Sequence, residues 1–166
     1  MADSNPDPGP ATAGPGMTLD FERGIPFLVS ALGNKLADIA SRDVRKFLGI
    51  GLMEWRTIAL LAVETRATPA RIGQVSGVDK SVVSRAAATL EQRGLIDIEA
   101  DPRGSRQTRL TLTGKGHELH DRGVRLAIER CEALLGGFSA EERELLTDLL
   151  KRATANLPRL ESPPKR

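Results

Sequence analysis

Four hydrogen-bond donors of the kind that contact nucleic acids stand within one short stretch of this chain: Lys80, Ser81, Ser84 and Arg85. The apolar residues around them recur at helical spacing, which would place them together on the opposite face: Val82, Val83, Ala86, Ala87 and Leu90. A helix that enters the major groove offers its N-terminal residues to base edges and phosphates. The pattern therefore predicts a DNA-reading helix with its donors near the N-terminus.

A shorter helix is predicted just before the donor helix. Thr68 can cap it, with Pro69 at the first helical position, where the missing N–H costs nothing. Gly77 supplies the positive φ of a tight turn, and Gly73 lets the two backbones approach closely. Because Asp79 can then cap the donor helix, the segment as a whole predicts a helix-turn-helix.

A β-hairpin is predicted directly after the donor helix. Residues on both sides of a turn rich in Asp, Pro and Gly alternate with a period of two. Ile96 and Ile98 share one face of the first strand, and Leu110 and Leu112 share one face of the second. The turn and the second strand carry arginines, which suit a narrow minor groove: Arg103, Arg106 and Arg109.

These residues resemble the MarR family of bacterial transcription regulators. The matching motifs, which span roughly 50 residues, are S-x-x-S-R (Ser81, Ser84, Arg85), L-E-x-R-G-L-I (Leu90 to Ile96), D-x-R (Asp101, Arg103) and L-T-x-x-G (Leu112, Thr113, Gly116). The resemblance implies a mainly α fold with a small β-hairpin wing, that is, a winged helix-turn-helix with a helical dimerisation region. The residues expected to bind DNA are Thr68, Lys80, Ser81, Ser84, Arg85, Arg103, Arg106 and Arg109.

The distribution of charge agrees with a polyanionic partner. The chain of 166 residues has a formal net charge of only +2, yet the segment from Arg66 to Gly116 holds nine basic and five acidic residues. The remainder is therefore net negative. Such an asymmetry is typical of a surface that binds nucleic acid.

Composition excludes several other classes of protein. No apolar run approaches the roughly 20 residues of a membrane span, and the N-terminus lacks a basic region followed by an apolar one, so we expect a cytoplasmic protein without membrane contact. A single cysteine excludes an intrachain disulfide framework. The sequence shows no Gly-rich phosphate loop and no G-x-S-x-G motif, and we expect no catalytic residue and no cofactor.

Helical periodicity outside the motifs predicts the organisation of the chain. The expected boundaries are disordered tails at 1–17 and 161–166 and a single domain at 18–160, with the winged helix-turn-helix at 52–112 and dimerisation helices at 24–47 and 113–157. Leu145, Leu146, Leu149 and Leu150 form an apolar stripe that needs a partner. We favour a twofold homodimer, which the resemblance also implies, over a bundle within one chain.

Two histidines and the cysteine are the candidates for a metal-sensing or redox-sensing regulator. His117 and His120 lie three apart, but a zinc site requires three or four ligands and the chain has no other histidine. We therefore predict no metal site. Peroxide-sensing members of the family carry their reactive cysteine in the first helix, and the first helix here has none. Cys131 is therefore expected to be buried and inert on an apolar helix face.

The resemblance also implies a small effector, often an aromatic or phenolic anion, bound between the winged helix and the dimerisation helices. Candidate lining residues are Phe27, Leu28, Leu32, Met53, Trp55, Arg56, Ile58 and His117. Trp55 could equally be a core anchor beneath the helix-turn-helix. We therefore predict a homodimeric repressor that binds a pseudo-palindromic operator in double-stranded DNA and is released from it by this effector. The alternative is a non-specific architectural DNA-binding protein.

Overall fold

The computed structural model describes residues 21–100 and 108–160. Within them the fold is mainly α with one antiparallel hairpin, as the sequence predicts. The elements are α1 (Ile25–Leu48), α2 (Leu52–Glu64), α3 (Pro69–Ser76), α4 (Lys80–Gln92), β1 (Ile96–Ala100), β2 (Thr108–Leu112), α5 (Gly114–Leu134), α6 (Ala140–Ala155) and a 3-10 helix (Leu157–Leu160). The two predicted tails lie outside the described residues.

The chain divides into two compact units, with the boundary after Asp43. The described part of the first unit is most of α1 and the turn before it. Most of its large apolar side chains are exposed, including Ile25, Val29 and Leu32. The rings of Phe21 and Phe27 lie 4.5 Å apart.

The second unit contains the hydrophobic core. Its fully buried large side chains come from three helices and both strands of the hairpin, because each of these elements turns one apolar face inward. They are Ile58 and Leu61 of α2, Ile72 of α3, Val83 and Leu90 of α4, and Ile96 and Leu110 of the hairpin. The buried hydroxyl of Thr57 donates to the carbonyl of Met53 at 2.9 Å, so it does not remain unsatisfied in the core.

The hairpin has the register that the alternation of residues predicts. Ile96 pairs with Leu112 and Ile98 with Leu110, which puts the four apolar side chains on one face. An additional bridge joins Ala67 to Leu110 through two hydrogen bonds, of 2.9 and 3.2 Å. The turn before α3 is therefore attached to the hairpin, a pairing that the sequence pattern does not predict.

The last two helices begin at their predicted caps. The side chain of Thr113 accepts from the N–H of Gly116 at 3.1 Å, and Ser139 and Glu142 form a reciprocal capping box. α6 ends at Ala155, before the predicted limit of 157, and is followed by the 3-10 helix that contains Pro158. This proline has no N–H to donate to the carbonyl four residues earlier, so the α-helical pattern cannot continue through it. None of the described helices is long and apolar enough to cross a bilayer.

Candidate nucleic-acid interface

The donor helix α4 begins at a charged cap. The Asp79 carboxylate accepts from the backbone N–H of Ser81 at 2.7 Å. This hydrogen bond, more than the neighbouring cations Lys80 and Arg85, holds the pKa of Asp79 below its ordinary value. The stabilisation by this cap is therefore fully present above the ordinary aspartate pKa and is lost as the pH falls through the lower pKa of the folded state.

The two faces of α4 are separated as the sequence predicts. Val83, Ala86, Ala87 and Leu90 are buried, whereas Val82 is half-buried. The exposed face near the N-terminus carries Lys80, Ser81, Ser84 and Arg85. The hydroxyl of Ser84 donates to the carbonyl of Lys80 at 3.0 Å, which leaves its oxygen lone pairs facing solvent.

The preceding helix α3 is held against α4 by a close backbone contact. Thr68 caps α3 by accepting from the N–H of Arg71 at 3.2 Å, and Gly77 ends it with φ of 67°. A Cβ atom on Gly73 would lie 2.7 Å from the carbonyl oxygen of Val78, so a larger residue cannot fit without movement. The predicted cap at Thr68 and the predicted backbone roles of Gly73 and Gly77 are thus confirmed, while DNA binding by Thr68 stays a prediction.

The wing contributes one described arginine to this side of the molecule. Arg109 lies half-buried on β2, opposite Glu99 of β1 in the strand register. The remaining predicted wing residues lie outside the described residues: Asp101, Arg103 and Arg106. Their role in DNA binding stays a prediction.

The base of the wing is attached to α5 through a glycine. A Cβ atom on Gly116 would lie 2.1 Å from the carbonyl oxygen of Leu95. In the same junction the hydroxyl of Thr113 donates to the carbonyl of Gly94 at 2.8 Å, and the N–H of Thr113 donates to that of Leu95 at 3.1 Å. Thr113 and Gly116 belong to the L-T-x-x-G motif. These contacts explain why the motif has a threonine and a glycine at the two positions: the threonine hydroxyl binds Gly94, and only glycine fits against Leu95.

Comparison with known proteins agrees with this arrangement. A sequence profile described as the MarR family matches residues 48–107, from the end of α1 into the wing. The crystal structure of a MarR/EmrR family transcriptional regulator from Acinetobacter sp. ADP1 is 30% identical, superposes with a TM-score of 0.78, and covers 85% of this chain and 99% of its own. The chain belongs to the MarR family.

Two further proteins match over much of the chain. The uncharacterized HTH-type transcriptional regulator YxaD of Bacillus subtilis (strain 168) is 32% identical over 105 residues, which are 61% of this chain and 73% of YxaD. The MepR–DNA complex from S. aureus shares the fold, with a TM-score of 0.70, 20% identity, and coverage of 81% of this chain and 98% of its own. MepR is bound to DNA in its structure. As a member of the MarR family, this chain is a winged-helix transcription regulator rather than an enzyme.

A groove of about 470 Å³ lies on the second unit of this MarR-family chain, between α2 and the end of α3. Two of the predicted effector residues line it, Trp55 and Arg56. The other lining residues are Ala59, Leu60, Val63, Val75 and Ser76.

The other predicted effector residues lie elsewhere. Ile58 is fully buried in the core, Met53 packs against that core, and His117 is exposed on α5. Phe27, Leu28 and Leu32 are exposed on α1 in the first unit. The groove is therefore lined by two of the eight candidates.

The side chain of Trp55 is a half-buried anchor between α2 and α5. Its ring stacks on that of His120, with centroids 6.1 Å apart and planes inclined by 20°. A Cβ atom on Gly123 would lie 2.2 Å from the same indole, so this glycine makes room for the ring. The sequence is compatible with Trp55 as a core anchor or as an effector contact, and it gives no sign of the contacts with His120 and Gly123.

The predicted burial of Cys131 is wrong, because the structure leaves this side chain exposed. The residues that α5 buries lie in its N-terminal half, at Gly116, Leu119 and Gly123. Further along the helix, Ile128 and Leu134 are exposed in the described part of the chain. His120 Nδ1 lies 3.2 Å from a carboxylate oxygen of Asp121. Among the described residues, no three potential metal ligands come together.

Proposed function

We propose that this MarR-family chain is a cytoplasmic, homodimeric repressor that reads a pseudo-palindromic operator and is released from it by a small effector. The observation that carries the proposal is the exposed donor face at the N-terminus of α4, supported from behind by a fully buried apolar face. A helix with this division can enter the major groove without losing its attachment to the core.

Specific recognition is proposed for Arg85, with Ser84 beside it. A guanidinium can bind O6 and N7 of guanine in a bidentate manner, and a hydroxyl can accept from or donate to either partner of a base pair. Lys80 and Ser81 are closer to the start of the helix and suit phosphate contacts, which position the protein without reading sequence.

Replacing Arg85 by alanine is expected to weaken binding to the operator by about 1 to 3 kcal/mol while changing binding to random DNA much less. Fluorescence anisotropy would compare a duplex selected by the protein from a random library with an unselected duplex of equal length. Arg125→Ala, which removes an exposed arginine of α5, is the matched control. Equal weakening on both duplexes would make Arg85 a phosphate contact, and a wild-type protein without preference would favour the architectural alternative.

Homodimerisation is supported by the apolar side chains left exposed at the ends of the chain. α6 buries none of its residues, although Leu145, Leu149 and Leu150 are about half exposed. Phe138 just before this helix and Leu157 just after it are exposed as well. Removing such a surface from water contributes roughly 25 cal/mol per Å², and a second copy of the chain would provide the cover.

Replacing Leu149 by glutamate is expected to convert the dimer to monomers or aggregates and to abolish operator binding. The reason is that a charge on the apolar stripe opposes burial, while one half-site alone supplies too little contact. Light scattering after size exclusion would measure the molar mass, with Thr147→Glu on the same helix as the control. A Leu149→Glu protein that remained dimeric and bound its operator normally would place the dimer interface elsewhere.

An effector with an apolar body and an anionic group is proposed for the groove beside Trp55. Apolar side chains such as Leu60 and Val75 form its walls, and Arg56 supplies a positive charge. BpsR of Bordetella bronchiseptica has the same fold, with 18% identity and a TM-score of 0.64. Its DNA binding is regulated by 6-hydroxynicotinic acid, a small aromatic acid. A thermal-shift screen of small aromatic acids, repeated with Arg56→Ala, would test this assignment.

Release of the protein from DNA would follow from a change in the spacing of the two recognition helices. The two recognition helices of a dimer must fit two half-sites about one helical turn apart. An effector that binds better to a spacing incompatible with both half-sites shifts the population toward that form and removes the bivalent advantage.

A further inference from the structure

A second concave surface on the winged-helix unit is strongly basic. It has a volume of about 230 Å³ and lies where the turn after α2 meets β2. Its lining includes three arginines and one carboxylate: Arg66, Arg71, Arg109 and Glu64, together with Ala67 and Thr68. The arginines come from three separate segments, namely the turn, α3 and β2.

The bridge between Ala67 and Leu110 fixes two of these arginines. Because side chains alternate along an extended strand, Arg66 and Arg109 project away from the face on which Ala67 and Leu110 are buried. Just before this bridge the chain turns at Thr65, whose φ of 58° is the one positive value found for a non-glycine residue in the described chain. A β-branched residue rarely adopts this conformation, so the surrounding contacts must maintain it.

Glu64 opposes the charge of this cleft. Its carboxylate accepts from Nε of Arg71 at 3.0 Å and from Nη2 at 2.7 Å, an arrangement that occupies the planar edge of the guanidinium. Glu64 is also the last residue of α2, where the partial negative charge of the helix end disfavours a carboxylate. Its ion pair with Arg71 offsets that unfavourable position.

We propose that this basic cleft binds one phosphate of the DNA backbone and that Glu64 limits the affinity by competing for Arg71. The inference rests on the DNA binding proposed above. The first helix of a helix-turn-helix crosses the backbone, and α3 is that helix here. Arg66 and Arg109 attract the phosphate, and a phosphate oxygen replaces the Glu64 carboxylate on the guanidinium of Arg71, which fits either anion.

The charge of Glu64 gives a direct test, because Glu64→Gln retains the size of the side chain and an oxygen acceptor for Arg71. We expect this variant to bind a random duplex about 5-fold more tightly near 0.1 M salt, with the slope of log affinity against log salt steeper by about one for each subunit in contact with the DNA. The gain should be equal on the selected operator, because phosphate contacts carry no sequence information. Arg66→Gln should weaken both complexes by about 5-fold and make the slope shallower.

The control is Glu129→Gln, an equal change of net charge at an exposed position of α5, which should change affinity by less than about 2-fold. The proposal is overturned if Glu64→Gln behaves like Glu129→Gln, if it binds DNA more weakly, or if its gain is confined to the operator. It is overturned as well if Arg66→Gln, with an unchanged thermal melt, binds random DNA like the wild type. Because these measurements use random DNA, they remain informative if the wild-type protein shows no operator preference, the outcome that would defeat the proposed regulator function.

Discussion

Replacing Val83 by aspartate is expected to unfold the winged-helix unit. The Val83 side chain has 0% exposure in the core beneath α4, so a carboxylate there would lose its hydration without gaining a partner. The expected loss is about 4 kcal/mol or more, a large part of the stability of a domain of this size. Urea denaturation followed by circular dichroism would measure it.

Val63→Asp is the matched control for this substitution, because the valine at that position of α2 is 81% exposed. It introduces the same chemical change where water can still hydrate the carboxylate, and we expect a loss of under about 1 kcal/mol. If the two variants were equally stable, the burial of Val83 and the orientation of α4 derived from it would be incorrect.

Replacing Gly116 by alanine is expected to destabilise the protein by about 3 kcal/mol. The added methyl group would lie 2.1 Å from the carbonyl oxygen of Leu95, so either the start of α5 or the base of the wing must move. Movement there would also disturb the hydrogen bonds from Thr113 to Gly94 and Leu95. DNA affinity should fall with stability, since the wing loses its fixed position.

Gly114→Ala is the control on the same helix, where an added Cβ would meet nothing within 4 Å. Alanine is intrinsically favoured over glycine in a helix, so this variant should be as stable as the wild type or slightly more so. A Gly116→Ala protein with the melting behaviour of Gly114→Ala would contradict the close approach of α5 to Leu95.

The sequence predicted the parts of the fold that local chemistry determines. Caps such as Thr68 and Asp79, and the left-handed turn at Gly77, depend on residues two to four positions apart, so their patterns can be read directly. The donor face of α4 was also predictable, because the helical repeat of its apolar residues places Arg85 and Val83 on different faces of the helix.

Contacts between distant segments were not predictable. The bridge from Ala67 to Leu110 involves one residue on each side, which is too short to produce alternation. The pairing of Glu64 with Arg71 spans the turn between two helices, so no continuous helix or strand relates the two positions. The burial of Cys131 was mispredicted because an apolar stripe shows which face of α5 seeks cover but not whether the same chain supplies it.

The stacking of Trp55 on His120 makes the protein's intrinsic fluorescence a measurement at one place. Trp55 is the only tryptophan, and the chain contains no tyrosine, so nearly all near-ultraviolet emission originates at the contact between α2 and α5. The indole also borders the groove beside Arg56. A spectrum recorded without any label thus reports the separation of these two helices.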